Sequence, residues 1–442
     1  MMFPRVHARA IKDVDDIDAS AFGDDALPRT CRCVSGRGAI QIAMSQHSTT
    51  VGTRSGEGAF WSVAATITSI VLGANTPLPL LTVYQSQWGF STALLSIVYG
   101  LYTVGVVVTV FLVGPLSDTV GRKRILVPAL CLMALGLLTC LFAPNVWVLM
   151  VGRILQGFAV GAGTTTAVAM LGELNPDPSD HGRVALTATV ATVVGLAGGP
   201  LVAGSLAEFA PAPTVVPYAA ALALTAISLV NVLRTPETVQ HPGELKLKPA
   251  RIHIPDSIAS SFYLATFVEL VAYAVAGTFA GLGASFARDL LGIQGHFAAG
   301  LIVALLFVAS AFGQLAVRRW PLRRAMQAGL IVLILGLACF AVSLTENLGA
   351  LFFVSAIVLG VGHGLAYLGS QELTDRIAPK ESRAEVFSGF QLGLYVGATV
   401  PAVVVGFAAK AVGFEHATLT FAATIAVLAI AALVWIRLLR PA

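Results

Sequence analysis

From residue 60 to its C-terminus the chain alternates between long apolar stretches and short polar connections. Twelve of the stretches reach the roughly 20 residues that a helix needs to cross a hydrocarbon core. They fall at 60–84, 92–113, 125–142, 146–171, 184–209, 215–233, 260–286, 298–317, 325–344, 348–370, 385–409 and 416–439. Backbone groups cannot go unbonded in lipid, so runs of this length predict helices. The pattern predicts an all-α polytopic membrane protein with 12 transmembrane helices.

One connection is longer than the rest. Residues 235–258 form a polar linker with Pro236, Pro242, Pro249 and Pro255, and they divide the chain into six-span halves at 59–234 and 259–442. Residues 1–58 contain no span. They carry an acidic stretch from Asp13 to Asp25 and a basic one from Arg29 to Arg37, without helical or strand period, and read as a disordered tail. Met44 is an alternative start, which would leave 1–43 untranslated.

The halves repeat. Gly114 and Leu116 close the second span as Gly313 and Leu315 close the eighth, Glu173 and Glu372 close the fourth and tenth, and Arg183 and Arg383 open the fifth and eleventh. All three landmarks share an offset of about 200 residues, as a duplicated six-span unit leaves behind. The expectation is two pseudo-symmetric six-helix bundles. The copy is imperfect, since Val317 stands where the offset places the counterpart of Asp118.

Composition and charge agree with the pattern. The chain is 56% hydrophobic and 11% charged, too little charge to cover a soluble protein of 442 residues. The net charge of +4 is a topology signal and does not point to nucleic acid. Arg122, Lys123, Arg124, Arg183, Arg234, Arg251, Arg323 and Arg383 lie on even-numbered connections, whereas odd-numbered ones carry only Arg288 and Lys410. Basic connections stay in the cytoplasm, so both termini and the linker are expected there. Cys31 and Cys33 lie in the tail and Cys131, Cys140 and Cys339 in spans, without zinc or haem spacing, so no metal or cofactor is expected. There is no phosphate-binding glycine loop and no nucleophile–base set, which argues against ATP-driven transport and against an enzyme.

Three motifs carry more specific information. Gly114-Pro115-Leu116-Ser117-Asp118-Thr119-Val120-Gly121-Arg122-Lys123-Arg124 is a short basic loop between two spans. The fourth span holds Arg153-Ile154-Leu155-Gln156-Gly157-Phe158-Ala159-Val160-Gly161, an arginine where a charge costs several kcal/mol. The fifth holds Gly195-x-x-x-Gly199-Pro200-x-x-x-Gly204, a smooth face with a proline that permits a bend. Span 11 echoes it loosely in Gly393, Gly397 and Pro401. The loop resembles the signature loop of the major facilitator superfamily, and the arginine run resembles its second motif, in which the arginine is associated with proton coupling. The glycine–proline run resembles the motif of the drug:proton antiporter branch, with Ala203 replacing the first glycine of its terminal pair. The resemblance implies the superfamily's twelve-helix fold, alternating access, and a gating role for Gly114, Asp118, Gly121, Arg122, Lys123 and Arg124. It also implies a bacterial inner-membrane carrier, acting as a monomer, whose partners are protons, a small-molecule substrate and the lipid bilayer.

The remaining candidates come from depth and chemistry. Glu269 lies near the middle of the seventh span, where an acid can exchange protons, bind a cationic substrate, pair with Arg153 or serve as a structural hydrogen-bonding group. Arg153 either works in coupling or pins neighbouring carbonyls. His363 sits between Gly362 and Gly364, and a lone histidine there reads more readily as a hydrogen-bonded packing residue. Asn75 precedes Thr76, Pro77, Leu78 and Pro79, which should kink the end of the first span and free carbonyls. Asn75, Arg153, Glu269 and His363 stand on spans 1, 4, 7 and 10, the cavity-lining helices of the superfamily that the chain resembles. Tyr273, Gln391 and Tyr395 can add aromatic and amide contacts, or be interface anchors. Efflux is the expected function. Proton-coupled uptake of a sugar or organic acid is the alternative, and a non-transporting membrane sensor a more distant one.

Overall fold

The computed structural model describes residues 38–113, 120–177, 180–239 and 254–439. Contacts separate Met1–Gly52, whose described part is the opening of a helix, from the compact unit Thr53–Ala442. Twelve helices among the described residues are long and apolar enough to cross a membrane, and no strand occurs among them.

In the first half the helices are α1 (Gly38–Asn75), α2 (Thr92–Val113), α3 (Arg122–Leu141), α4 (Val146–Glu173), α5 (His181–Phe209) and α6 (Val216–Arg234). In the second they are α7 (Ala259–Ser285), α8 (His296–Val317), α9 (Leu322–Thr345), α10 (Gly349–Ile377), α11 (Arg383–Val412) and α12 (Phe414–Leu438). α1 starts well before the expected edge, so residues 38–58 are helical and not part of a structureless tail. Once the apolar part of α1 has formed, extension backwards through a stretch without proline needs no new nucleus. At its other end α1 stops at Asn75. Pro77 and Pro79 cannot donate, so the chain runs on as a 3-10 turn, Leu78–Leu80, and a short helix, Leu81–Trp88.

The packing repeats as the sequence does. α3 lies on α4 as α9 lies on α10, α2 on α4 as α8 on α10, and α3 on α6 as α9 on α12. Between the halves the main pairs are α5 with α8 and α2 with α11, which exchange under the same repeat. Many of these contacts are made by backbone. A Cβ on Gly157 of α4 would stand 2.1 Å from the Tyr102 carbonyl oxygen of α2, and one on Gly364 of α10 would stand 2.0 Å from the Ser310 oxygen of α8. Association in lipid rests on such close fit, since apolar side chains gain little by leaving lipid for each other. The outward-facing apolar residues, among them Leu135, Leu335, Val427 and Val434, are exposed as a lipid-facing surface would be.

The bundle has two ends. One, the basic end, carries Arg122, Lys123, Arg183, Arg323 and Arg383. The other, the far end, carries the turns after the short helix Leu81–Trp88 and after α3, α5, α7, α9 and α11. The cross-half contacts of α5 with α8 gather toward the far end. Gly204 meets the His296 carbonyl there and Gly300 meets the Pro200 carbonyl. On the other side Gly406 of α11 meets Ser96 and the Thr92 carbonyl of α2.

Candidate transport site

Arg153 is 1% exposed, on the face of α4 that looks toward α1 and α2. Its Nη1 donates to the Ala74 carbonyl at 2.7 Å and to Gln156 Oε1 at 2.7 Å. The guanidinium carbon also sits 4.8 Å from the centre of the Tyr102 ring. The Ala74 carbonyl belongs to the last turn of α1, where the prolines interrupt the helical ladder. The expected kink is present, and the arginine takes up a carbonyl at the break. Arg153 Nε and Gln156 Nε2 have no partner.

Glu269, on α7, is 0% exposed, and neither carboxyl oxygen has a hydrogen-bond partner. Tyr273, Tyr367 and Tyr395 lie within electrostatic reach of it. Next to this group is His363. Its Nδ1 and the Ser310 hydroxyl are 2.8 Å apart, and Gln314 donates to the same hydroxyl at 3.3 Å. The imidazole meets Tyr273 edge-on at 4.7 Å and stacks on Tyr367 at 5.9 Å, with Nε2 unpartnered. These contacts hold the imidazole of α10 against α7 and α8.

The two charged residues are not brought together. Among the described residues no ion pair joins Arg153 to Glu269, and each lies within its own half. Two tyrosines have electrostatic contact with one or other of them. Tyr102 lies under Arg153, Tyr395 interacts with both Tyr102 and Glu269, and one turn along Thr399 Oγ1 donates to Thr103 Oγ1 at 2.7 Å. Tyr102, Tyr367 and Ser310 were not anticipated from the sequence. Tyr99 and Tyr102 at helical spacing on the second span, and Tyr367 four residues after His363, were the available signals.

The other candidates are placed as follows. Asn75 Nδ2 donates to the Val71 carbonyl of its own helix at 2.7 Å, and its Cβ lies under Gly199. Gln391 and Tyr395 are half-buried on α11. Gly195 and Gly199 seat α5 on Val71 and the Leu72 carbonyl of α1, while Gly204 reaches across to α8. The echo does the same: Gly393 and Gly397 seat α11 on Thr266 and Leu270 of α7, and Gly406, beyond Pro401, reaches across to α2. The glycine–proline motif thus serves two contacts, one inside its half and one between halves.

In the loop motif, Gly114 and Asp118 lie outside the described residues. Gly121 has φ 115°, and a Cβ there would be 3.0 Å from Glu237 Oε2. Glu237 accepts from the backbone N–H of Arg122 at 2.9 Å and of Lys123 at 3.0 Å, capping α3. Arg122 pairs with Glu173 at 2.6 Å, and Lys123 donates to the Leu233 carbonyl at the end of α6 at 2.9 Å. These contacts bind the loop to its own half and to the start of the linker. Arg124 is exposed. Arg323 repeats the Lys123 contact by donating to the Ile436 carbonyl at the end of α12. No group of three His, Cys, Asp or Glu that could hold a metal occurs among the described residues.

Residues 63–343 and 265–442 match the sequence profile of the Major Facilitator Superfamily. The chain belongs to this superfamily. Its relatives include the multi-drug resistance efflux pump PmrA homolog of Lactococcus lactis, 28% identical over 66% of this chain and 74% of the relative. The inner membrane transport protein YajR of Escherichia coli is 33% identical over 30% of this chain and 28% of its own length. The 4-hydroxybenzoate transporter PcaK of Pseudomonas putida is 36% identical over 21% of each chain. The alignments thus span under a third of YajR and PcaK. Among solved structures, a bacterial homolog of the human lysosomal transporter Spinster, inward-facing and unoccupied, superposes with a TM-score of 0.70 at 13% identity, over 87% of this chain and 97% of that one. The nucleoside transporter NupG gives 0.67 at 15% identity, over 85% and 98%. The superfamily consists of transporters, so this chain is a membrane transporter and not an enzyme.

Proposed function

We propose that the chain is a proton-coupled secondary transporter exporting small molecules by alternating access across the bacterial inner membrane. Residues 59–234 and 259–442 are the two moving bodies and 235–258 the cytoplasmic link between them. The observation that carries the coupling is Glu269, a buried acid with no partner on either oxygen. An ion-paired acid is held as the carboxylate by its partner's charge and does not readily take a proton back. An unpaired one exchanges protons with whichever side the cavity faces, because a lone buried carboxylate is costly. Arg153, held on Ala74 and Gln156, fixes the broken end of α1 and leaves Glu269 to titrate without it.

Positive connections at the basic end favour a cytoplasmic placement for that end. The far-end closure described above then corresponds to an inward-facing state. The attachment of Arg122 and Lys123 to their own half and the linker fits this, since docking of Asp118 and its neighbours against the other half belongs to the opposite state. Efflux is favoured by the glycine–proline motif and by the alignment with the PmrA homolog, which covers two thirds of the chain. Uptake is the second reading, supported by shorter matches to the D-xylose transporter of Levilactobacillus brevis and to PcaK.

The test is proton flux in proteoliposomes holding an imposed pH gradient, with lipophilic compounds, sugars and aromatic acids added in turn. Compound-driven flux that disappears in Glu269→Gln is the expected result. Flux surviving that substitution removes Glu269 from the coupling. Flux driven only by co-directional movement of sugars or acids turns the assignment to uptake.

A further inference from the structure

At the far end two polar contacts cross between the halves. Glu208, at the end of α5, accepts the backbone N–H of His296, the first residue of α8, at 2.6 Å. Its carboxylate therefore caps a 22-residue helix of the other half and faces the positive end of that helix dipole. Gly295, the residue before α8, has φ 116°, a backbone conformation that favours glycine. The second contact joins the extensions of α1 and α7. Arg288, in the π-turn Phe286–Leu290, donates to the Thr82 carbonyl at 3.1 Å and to Gln85 Oε1 at 2.9 Å in the short helix Leu81–Trp88. Asp289 pairs with Arg288 Nε at 2.6 Å and fixes the guanidinium in that direction.

The internal repeat reveals what is missing. Gly204 meets the His296 carbonyl, and Glu208 follows one turn later. Gly406 meets the Thr92 carbonyl, and the residue one turn later is Lys410. Lys410 is exposed, at the place from which a carboxylate would face the start of α2. A lysine cannot accept from a helix N-terminus, and its charge opposes the dipole.

We propose that Glu208 and Arg288 form a one-sided polar lock that holds the far end closed, and that Lys410 leaves the matching contact on the α2–α11 side unmade. The lock sets how readily the far end opens, so it controls the balance of the two access states. The idea rests on the transport reading for its purpose but not for its test. Both contacts must break when the far end opens, and neither touches Glu269 or Arg153.

The experiment is a distance measurement on the full chain in lipid nanodiscs, without substrate or pH gradient. Spin labels go at Trp147 and Leu348, exposed far-end positions in opposite halves, in a background free of native cysteines. Arg288→Ala and Glu208→Lys should each raise the population with separated far ends about ten-fold, the scale of one charge-assisted hydrogen bond. Lys410→Glu, introduced into the Arg288→Ala chain where the open population is measurable, should lower it about two- to five-fold by giving α2 an anionic cap. Because Glu208 and Lys410 are exposed, these changes leave packing intact. Arg383→Ala, which breaks the ion pair with Asp375 inside one half, should change nothing. Distances unmoved in Arg288→Ala, Glu208→Lys and Lys410→Glu overturn the lock even where proton flux is intact. A far end that opens in a protein without compound-driven flux overturns the transport reading and keeps the lock.

Discussion

Arg153 and Glu269 are both buried ionisable residues on membrane-spanning helices, yet the structure treats them oppositely. The arginine is held by a backbone carbonyl, an amide and an aromatic face. The acid has three tyrosines within electrostatic reach and no hydrogen-bond partner on either oxygen. A permanently charged group needs fixed partners to remain in a membrane interior, whereas a titratable group can be left without them because it can shed its charge. On the proposed function, the first is architecture and the second a moving part. Removing them should therefore have opposite consequences.

The largest effect should come from Arg153→Met. It strips the Ala74 carbonyl and Gln156 Oε1 of their donor, and unfolding free energy in mixed micelles should fall by about 2–3 kcal/mol. Ser310→Ala tests whether His363 belongs with the arginine or with the acid. If its bond to Ser310 is structural, stability falls by about 1 kcal/mol, as for other helix–helix hydrogen bonds in membranes, and transport persists. Glu269→Gln should cost under about 1 kcal/mol, because no bond is lost, while abolishing coupled flux. A drop as large as that of Arg153→Met would place the acid with the architecture. The smallest effect should be Gly198→Ala. A Cβ there meets nothing within 4 Å, so the helix gains about 0.5–1 kcal/mol, whereas Gly195→Ala drives a methyl to 2.6 Å from Val71 Cβ and destabilises.

The contrast between these residues also marks what the sequence can convey. Span number and the repeat could be read directly, since each rests on a local run or on a fixed offset. The glycine–proline motif was legible as a packing face, and so was the break after Asn75, because Pro77 and Pro79 act on the backbone wherever they occur. Depth in the membrane follows from counting along a helix, and it drew attention to Arg153 and Glu269. Direction around the helix does not follow from counting. The arginine's bond to a carbonyl 79 residues away, and its separation from Glu269, depend on how α1, α2 and α4 are rotated in the bundle. The role of Glu208 was hidden for the same reason. Its partner is a main-chain N–H, and no side-chain pattern announces it. The helical turns at residues 38–58 were missed because weak periodicity there is outweighed by continuity with the span that follows.

The glycine contacts have a consequence for how sequence change is tolerated. Where α5 crosses α8, backbone meets backbone at Pro200, Gly204 and Gly300. Surfaces of this kind slide and part without any group having to swing aside, but a single added methyl acts as a wedge. In this transporter the positions most sensitive to mutation should thus be its smallest residues. A saturating mutational survey should trace the route of the rocking motion as a line of glycines, and leave the bulky lipid-facing leucines and valines freely exchangeable.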